Sequence, residues 1–502
     1  MTKPLTLRYR PLGIDTLQEH VAFLHGSCPI CKSEGLQAQT RVQLTHAGQV
    51  VTTIVNVIHS DLLESGEMGL SVSAQEDLGV KEGDVIEVIQ APPVDSLSQL
   101  RSKIYGHRLD KQGFVSVITD IAKGRYANIH VAAFLTGMAS HRANLQEVID
   151  LTASMVDVGE KLSWGTTPVA DKHCVGGLPG NRTTPIVVAI AACAGLVMPK
   201  TSSRAITSPA GSADVMEVMT PVTHGLTQMR EIVEKEGACF VWGGALALSP
   251  ADDLLIKVAR PLEIDSDAQL VASVLSKKIA AGATHAVIDI PVGLTAKVRS
   301  TDQADHLEHL LTRVAFANGL NLTVVRTDGT QPVGRGIGPA LEARDVLQVL
   351  RNEPQAPQDL RQRAIDLASA LVELCGKVAP GQGQTFATES IDSGRAWQKF
   401  QAICEAQGGF TEPSFSKLTH TIKTTQSGIV KSIDNRRLSR IAKLAGAPLA
   451  QTAGIDLMVR LGDQVQSGDP LFVLHAQAQG ELDYTLTYLD SHPPILVIPT
   501  RG

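Results

Sequence analysis

Hydrophobic and polar positions change period several times along the chain. Residues 1–92 carry short alternations rich in Val, Thr and Ile, such as Val50–His59, and Leu78–Val88 reads as a turn followed by a strand. This predicts a small, mostly β N-terminal domain that ends at the linker Ala91-Pro92-Pro93. From Ser96 to Val158 the pattern is helical, with Gly106-His107-Arg108-Leu109 between two stretches and an amphipathic segment over Asn144–Glu160. Strands and helices then alternate. Ile186–Cys193 is an apolar run that predicts a buried helix, a helix is expected near His224–Glu236, and Ser249-Pro250 opens another with proline at the first position. Ser266 and Gln269 have capping-box spacing and start a helix through Ile279, with Leu270, Val271, Val274, Leu275 and Ile279 as its buried stripe. Ala238–Trp242, His285–Ile290 and Leu320–Val325 read as strands, so 170–345 predicts a mostly parallel α/β sheet. Leu360–Cys375 is helical. From about Phe415 the chain turns β-rich through Gly428–Ile433, Ala453–Arg460 and Pro470–His475, which predicts a C-terminal α+β domain.

Composition narrows the class. The 502 residues are 43% hydrophobic and 19% charged, which fits a globular enzyme. A net charge of −6 gives nonspecific nucleic-acid binding no electrostatic support. No apolar run reaches about 18 residues, the length of a membrane-spanning helix. The start MTKPLTLRYR lacks an apolar signal core, and a cytoplasmic location is expected. Seven cysteines, an odd number in a long chain, point to reduced thiols. Cys28-Pro29-Ile30-Cys31 has no second CxxC or HxxxH beside it, so no metal site is expected there.

The candidate chemistry lies in Ala170–Glu217. Asp171-Lys172-His173-Cys174 runs into Val175-Gly176-Gly177-Leu178-Pro179-Gly180-Asn181, with Thr184-Pro185 as the expected start of the next helix. A glycine loop feeding a helix start presents backbone N–H groups to an anion; Lys172 adds positive charge and His173 a proton carrier. A second loop, Thr201–Ser208, supplies five hydroxyls and the Arg204 guanidinium before a helix expected near Ser212. Together the two loops read as a phosphate cradle. Ser273 and Lys277, four apart, share one helix face, and Asp265 precedes that helix, where a carboxylate also stabilises the helix dipole. The Gly334-Arg335-Gly336-Ile337-Gly338 run lacks full dinucleotide-fold spacing and a partner acid, and is read as structural.

These motifs, with Val241-Trp242-Gly243-Gly244 and Lys277-Lys278, resemble the thymidine phosphorylase family over essentially the whole chain. They are closest to its long branch, which includes the archaeal AMP phosphorylases and bacterial chains named for thymidine phosphorylase. The resemblance implies a multidomain α/β fold: a helical domain and a mixed α/β domain whose central sheet lies across a cleft, with a small β-rich N-terminal domain and an α+β C-terminal domain. The boundaries expected are 1–92, 96–165 completed by about 250–281 for the helical domain, 166–249 with 282–410 for the phosphate-binding domain, and 415–502. The implied reaction is reversible phosphorolysis of an N-glycosidic bond by a homodimer or higher homo-oligomer, with inorganic phosphate as co-substrate, a nucleoside or nucleotide as partner, and neither cofactor nor metal. By resemblance Asp265 and His173 are catalytic, and Lys172, Gly177, Ser203, Arg204, Ala205, Ile206, Thr207, Ser208, Ser212, Ser273, Lys277 and Lys297 bind substrate or phosphate. Two positions depart from the family pattern. Cys174 replaces a serine, and Val258, with Arg260 two residues on, stands where the thymidine branch holds the pyrimidine with an arginine. Thymidine and AMP are both candidate substrates, and a noncatalytic nucleotide-binding regulator is the competing class.

Overall fold

The structure is a computed structural model. It describes residues 5–16, 19–28, 40–139, 143–180, 182–205, 208–246, 248–262, 264 and 266–498. The chain divides into two compact units, Met1–Arg142 with Leu254–Ile264, and Ala143–Asp253 with Asp265–Gly502.

In the first unit six strands close into a barrel: β1 (Leu5–Tyr9), β2 (Val21–His25), β3 (Arg41–His46), β4 (Gln49–Ile58), β5 (Glu67–Leu70) and β6 (Val85–Gln90), in the order β1-β5-β2-β4-β3-β6. Closure removes both sheet edges. Two pairings, β1 with β5 and β2 with β4, are parallel, and the rest are antiparallel. The predicted alternation is visible in β3 and β6, where Val42, Leu44, Ile86 and Val88 turn inward onto Leu24, Val55 and Met68. Three helices follow, Leu97–Ile104, Lys111–Ala122 and Asn128–Met138, with Phe114 edge-on to Phe134 at 6.5 Å.

The second unit holds the parallel sheet. Its strands are β7 (Ala170–Cys174), β8 (Met198–Ser202), β9 (Ala238–Trp242), β10 (His285–Val292) and β11 (Asn321–Asp328). β11, β10 and β7 pair in parallel, as do β8 and β9. A parallel bridge, Val169 to Val197, joins the two sets, with Ala170 N–H donating to the Val197 carbonyl at 2.8 Å. The order across the sheet is therefore β11-β10-β7-β8-β9. Thr183–Cys193 is buried almost all round, as its unbroken apolar pattern requires, and packs with Gln358–Leu374 in the largest core. A second core on β10 takes Leu145–Asp157, Asp267–Ala280 and Thr301–Ala317. The helices read as one helical stretch are thus shared: three lie in the first unit, while Leu145–Asp157 and Asp267–Ala280 lie in the second.

One helix start needs correction. The helix after the glycine loop begins at Thr183 with Arg182 as its N-cap residue, so Pro185 is not at the first position. Thr184 is inside the first turn because its hydroxyl serves Lys172 instead of a backbone N–H. The other starts hold: Pro250 opens Pro250–Leu262, and Ser266 Oγ accepts from Gln269 N–H at 3.2 Å.

The C-terminal part is α+β. β12 (Gly336–Ile337), β13 (Leu418–Lys423), β14 (Gly428–Ile433), β15 (Gly454–Leu457), β16 (Gln464–Val465), β17 (Pro470–Ala476) and β18 (Ile495–Ile498) form two antiparallel sheets, β12-β15-β17-β13 and β16-β14-β18, with helices Asn435–Leu444 and Gln479–Ser491. The glycine-arginine run is structural here. Arg335 and Gly336 donate backbone N–H groups to Asp345, and Gly336–Ile337 is a strand of the C-terminal sheet. Among the described residues no helix is long and apolar enough to cross a membrane.

Candidate functional site

The sheet order places a crevice. From β7 the chain moves through β8 to β9 on one side, then returns to β10 and β11 on the other. Connections leave β7 and β10 in opposite directions, and such a switch point opens a ligand crevice at the carboxyl ends of the strands. The loops there meet. Val175 N–H donates to the Asp289 carbonyl at 2.8 Å, and a Cβ on Gly177 would stand 3.1 Å from the Lys297 backbone nitrogen. Gly177 has φ +102°, so both its backbone and this close approach require glycine. Leu178 follows at φ +87°, a strained value for leucine. Its side chain is 2% exposed within the core that also holds Ile337, Val430 and Leu474, which fixes the turn to the C-terminal part.

β7 sends successive side chains to opposite faces. On one, Lys172 Nζ donates to Thr183 Oγ1 at 2.7 Å and Thr184 Oγ1 at 3.3 Å, and Cys174 lies in register with Asp289 of β10. Thr327 Oγ1 donates to Asp289 Oδ1 at 2.6 Å and accepts from Arg363 at 2.9 Å. On the other face Asp171 takes Lys200 on one carboxylate oxygen and Lys278 on the other, each at 3.0 Å. Burial alone would raise Asp171, but the two lysines outweigh it and hold the carboxyl below its usual range. Burial lowers Lys172, and it brings Lys278 down to about 8 against the pull of Asp171. Two buried lysines thus share the buried Asp171 on one face, while the buried Lys172 lies on the face of the buried Asp289. His173, next on the Asp171 face of β7, is half-buried. Burial first, then Lys278, Lys200, Lys172 and Lys277, drive it well below its ordinary value, so at neutral pH it is an imidazole that donates through one N–H and not an imidazolium. Burial and then Asp289 push the Cys174 thiol well up, which keeps it protonated, and its Sγ donates to the Val175 carbonyl at 3.9 Å.

The second loop leaves the end of β8. Asp214 gathers it, accepting from Ala205 N–H at 2.7 Å and Gly211 N–H at 2.8 Å, while the Gly211 backbone lies so close to Ser203 and Arg204 that a side chain there would collide with them. Arg204 makes a two-pronged pair with Glu217 at 2.7 Å and lies 4.7 Å over the Trp242 ring. Ser208 Oγ donates to the Ala210 carbonyl at 2.9 Å, and Ser212 starts the helix Ser212–Glu217.

Ser273 and Lys277 do share a face, and it is half-buried. Both meet Asp252, which is fully buried: Ser273 Oγ donates to its Oδ2 at 2.9 Å, and Lys277 Nζ lies 2.5 Å from the same oxygen. The described residues thus bring Lys172, His173, Gly177 and Lys297 to the carboxyl ends of β7 and β10, with the Ser203–Ser208 loop following β8. Asp265, Ile206, Thr207, Asn181 and Cys31 lie outside the described residues. Sequence reading missed Asp252, Asp289 and Lys200. Asp289 had a signal, a lone charge in the apolar run of β10; Asp252 looks like any acid in a first helical turn.

The comparisons agree with this geometry. Residues 166–397 match the glycosyl transferase family a/b domain, 98–159 its helical bundle domain, and 429–495 the pyrimidine nucleoside phosphorylase C-terminal domain. A protein of Ralstonia nicotianae named "Putative thymidine phosphorylase" is 56% identical over 497 residues, 99% of this chain and 98% of that protein. One of Cupriavidus necator with the same kind of name is 55% identical over 98% of this chain and 94% of its own length. The anthranilate phosphoribosyltransferase of Thermus thermophilus shares the fold, with a TM-score of 0.52 at 19% identity over 62% of this chain and 99% of its own. With a match over nearly its full length to such relatives, this chain belongs to the thymidine phosphorylase family and is a nucleoside phosphorylase, a pentosyltransferase.

Proposed function

We propose that the reaction is the reversible phosphorolysis of thymidine, a pyrimidine deoxynucleoside, to thymine and 2-deoxyribose 1-phosphate. The observation that carries this reading is Lys172, buried on the strand that leads into the Gly177 turn and standing on two threonine hydroxyls. Phosphate is held there and aimed at C1′ of the pentose, with Ser203–Ser208 and Ser212 as the second wall and Lys297 beside Gly177. As the glycosidic bond lengthens the sugar gains oxocarbenium character, which the bound anion stabilises. The departing base gathers negative charge and needs donors. His173 supplies a neutral N–H, Ser273 and Lys277 supply further donors, and Asp265 is the proton donor carried over from the resemblance. Inorganic phosphate is the co-substrate, and no other cofactor enters. A cytoplasmic homodimer is part of the same reading.

A second reading, phosphorolysis of AMP to adenine and ribose 1,5-bisphosphate, is favoured by Val258. The residue puts an aliphatic side chain where the thymidine branch carries a guanidinium. Side-by-side turnover of thymidine, uridine, AMP and CMP with phosphate decides between them. The proposal expects phosphate-dependent thymine release to be fastest. Faster turnover of AMP replaces it with the second reading, and no phosphate-dependent base release from any of the four removes both.

A further inference from the structure

We propose that Asp252 is a positioning residue for the leaving base, fixing Ser273 and Lys277 of one helix so that both present donors in set directions. The inference rests on the phosphorolysis reading above. It begins with an oxygen shared by two donors: Asp252 Oδ2 receives Ser273 Oγ at 2.9 Å and Lys277 Nζ at 2.5 Å, from positions one helical turn apart. One acceptor held by both locks the rotamers of two side chains that otherwise move independently. Lys277 carries three N–H donors, so contact with one oxygen leaves donors over. Its side chain is 28% exposed, whereas Asp252 is completely covered.

The bland alternative is a carboxylate placed to stabilise its own helix, since Asp252 lies in the first turn of Pro250–Leu262. That role asks for no burial and works from the surface. Asp252 is instead taken out of water, its charge is spent on another helix, and its second oxygen Oδ1 is buried with no hydrogen bond among the described residues. A buried pair serving stability alone normally satisfies its remaining lone pairs, because desolvation is otherwise uncompensated.

The groups facing Lys277 are Asp252 and Asp253 from Pro250–Leu262 and His173 from β7. Burial lowers the Lys277 ammonium, and Asp252 and then Asp253 more than restore it, leaving it above its ordinary value. With Asp252 gone, the burial remains and the main opposing charge does not.

The test is Asp252→Asn in the full-length enzyme, with kcat and KM measured for the nucleoside and for phosphate from neutral to alkaline pH. Wild-type base release first establishes the reaction, so failure of that reading shows before any variant is made. The account expects nucleoside kcat/KM to fall about a hundredfold. It also expects the alkaline limb of the profile to move down by about one pH unit or more, with KM for phosphate within about twofold of wild type. An unmoved alkaline limb, or equal loss for both substrates, overturns the proposal. If Asp252→Asn does not fold, Asp252→Glu carries the test, since it keeps the charge and displaces it by one methylene. It should leave the limb in place and raise nucleoside KM about fivefold or more. Unchanged nucleoside KM in that variant overturns the proposal.

Discussion

Two clusters of charge lie in the same unit, and the proposed function assigns a ligand to only one of them. Beneath the C-terminal sheet, Arg182, Arg344 and Arg460 meet Glu342, Asp345, Asp456 and Asp359, with Arg344 gripping Asp456 at 2.7 and 2.8 Å. Carboxylates at least match cations there, and the cluster pins Arg335 and Gly336 to Asp345. Along β7 and its neighbours the balance reverses, with buried Lys172, Lys200 and Lys278 against buried Asp171 and Asp289. A histidine held neutral by its neighbours adds no positive charge of its own. Buried charge by itself therefore says little about function. What separates the proposed phosphate site is a surplus of one sign on a strand that leads into a glycine turn at a sheet's switch point.

The sharpest way to break this contrast is to remove one charge from each cluster. Lys172→Met should lower phosphorolysis about a thousandfold while the thermal midpoint moves little, since the lysine's burial is itself costly. Asp345→Ala should do the reverse, losing about 3–5 kcal/mol of stability by denaturant unfolding, with kcat/KM of the remaining folded enzyme near wild type. Equal effects of the two variants on activity would erase the distinction.

A smaller effect separates the clusters by pH. Lys278, brought down to about 8, loses its proton as pH rises through that value, so the crevice loses positive charge and KM for phosphate should climb above about pH 8. Lys278→Arg should abolish that climb, because the guanidinium stays charged. Glu342 titrates with the opposite meaning. Burial raises it to about 7, against an ordinary 4.5, so between those values the folded state holds a proton that the unfolded state has released. Stability should therefore fall from pH 4.5 to 7 and then level off. Glu342→Gln should remove about 1–3 kcal/mol of that fall, read from chemical denaturation at the two pH values, without changing phosphate KM.

The smallest change is expected at Cys174→Ser. The thiol donates to the Val175 carbonyl, a bond that a hydroxyl can also make, so the exchange should alter kcat/KM by no more than about 1 kcal/mol, roughly fivefold. A larger change would put position 174 in direct contact with phosphate.

Where a signal is local, the sequence carried it. β9 runs Ala238–Trp242 and β14 runs Gly428–Ile433, the residues their apolar patterns mark, and Ser266 caps its helix. The two loops after β7 and β8 were legible for the same reason, since glycine and hydroxyl clusters announce themselves over a few residues. Barrel closure was not, because β1 pairs with β5 and β6 across most of a domain and no local pattern encodes that register. Partners were also hidden. That Lys200 and Lys278 share Asp171, or that Ser273 and Lys277 share Asp252, depends on contacts many residues apart. The start at Thr183 escaped because a proline after a threonine looks like a cap, whereas both threonines are committed to Lys172.

The most direct measurement is the crystal structure of the enzyme soaked with inorganic phosphate. The account predicts the anion at the carboxyl ends of β7 and β10, between the Gly177 turn and the Ser203–Ser208 loop, within hydrogen-bond reach of backbone N–H groups and of Lys172 or Lys297. Phosphate bound elsewhere, with both loops empty, would contradict it.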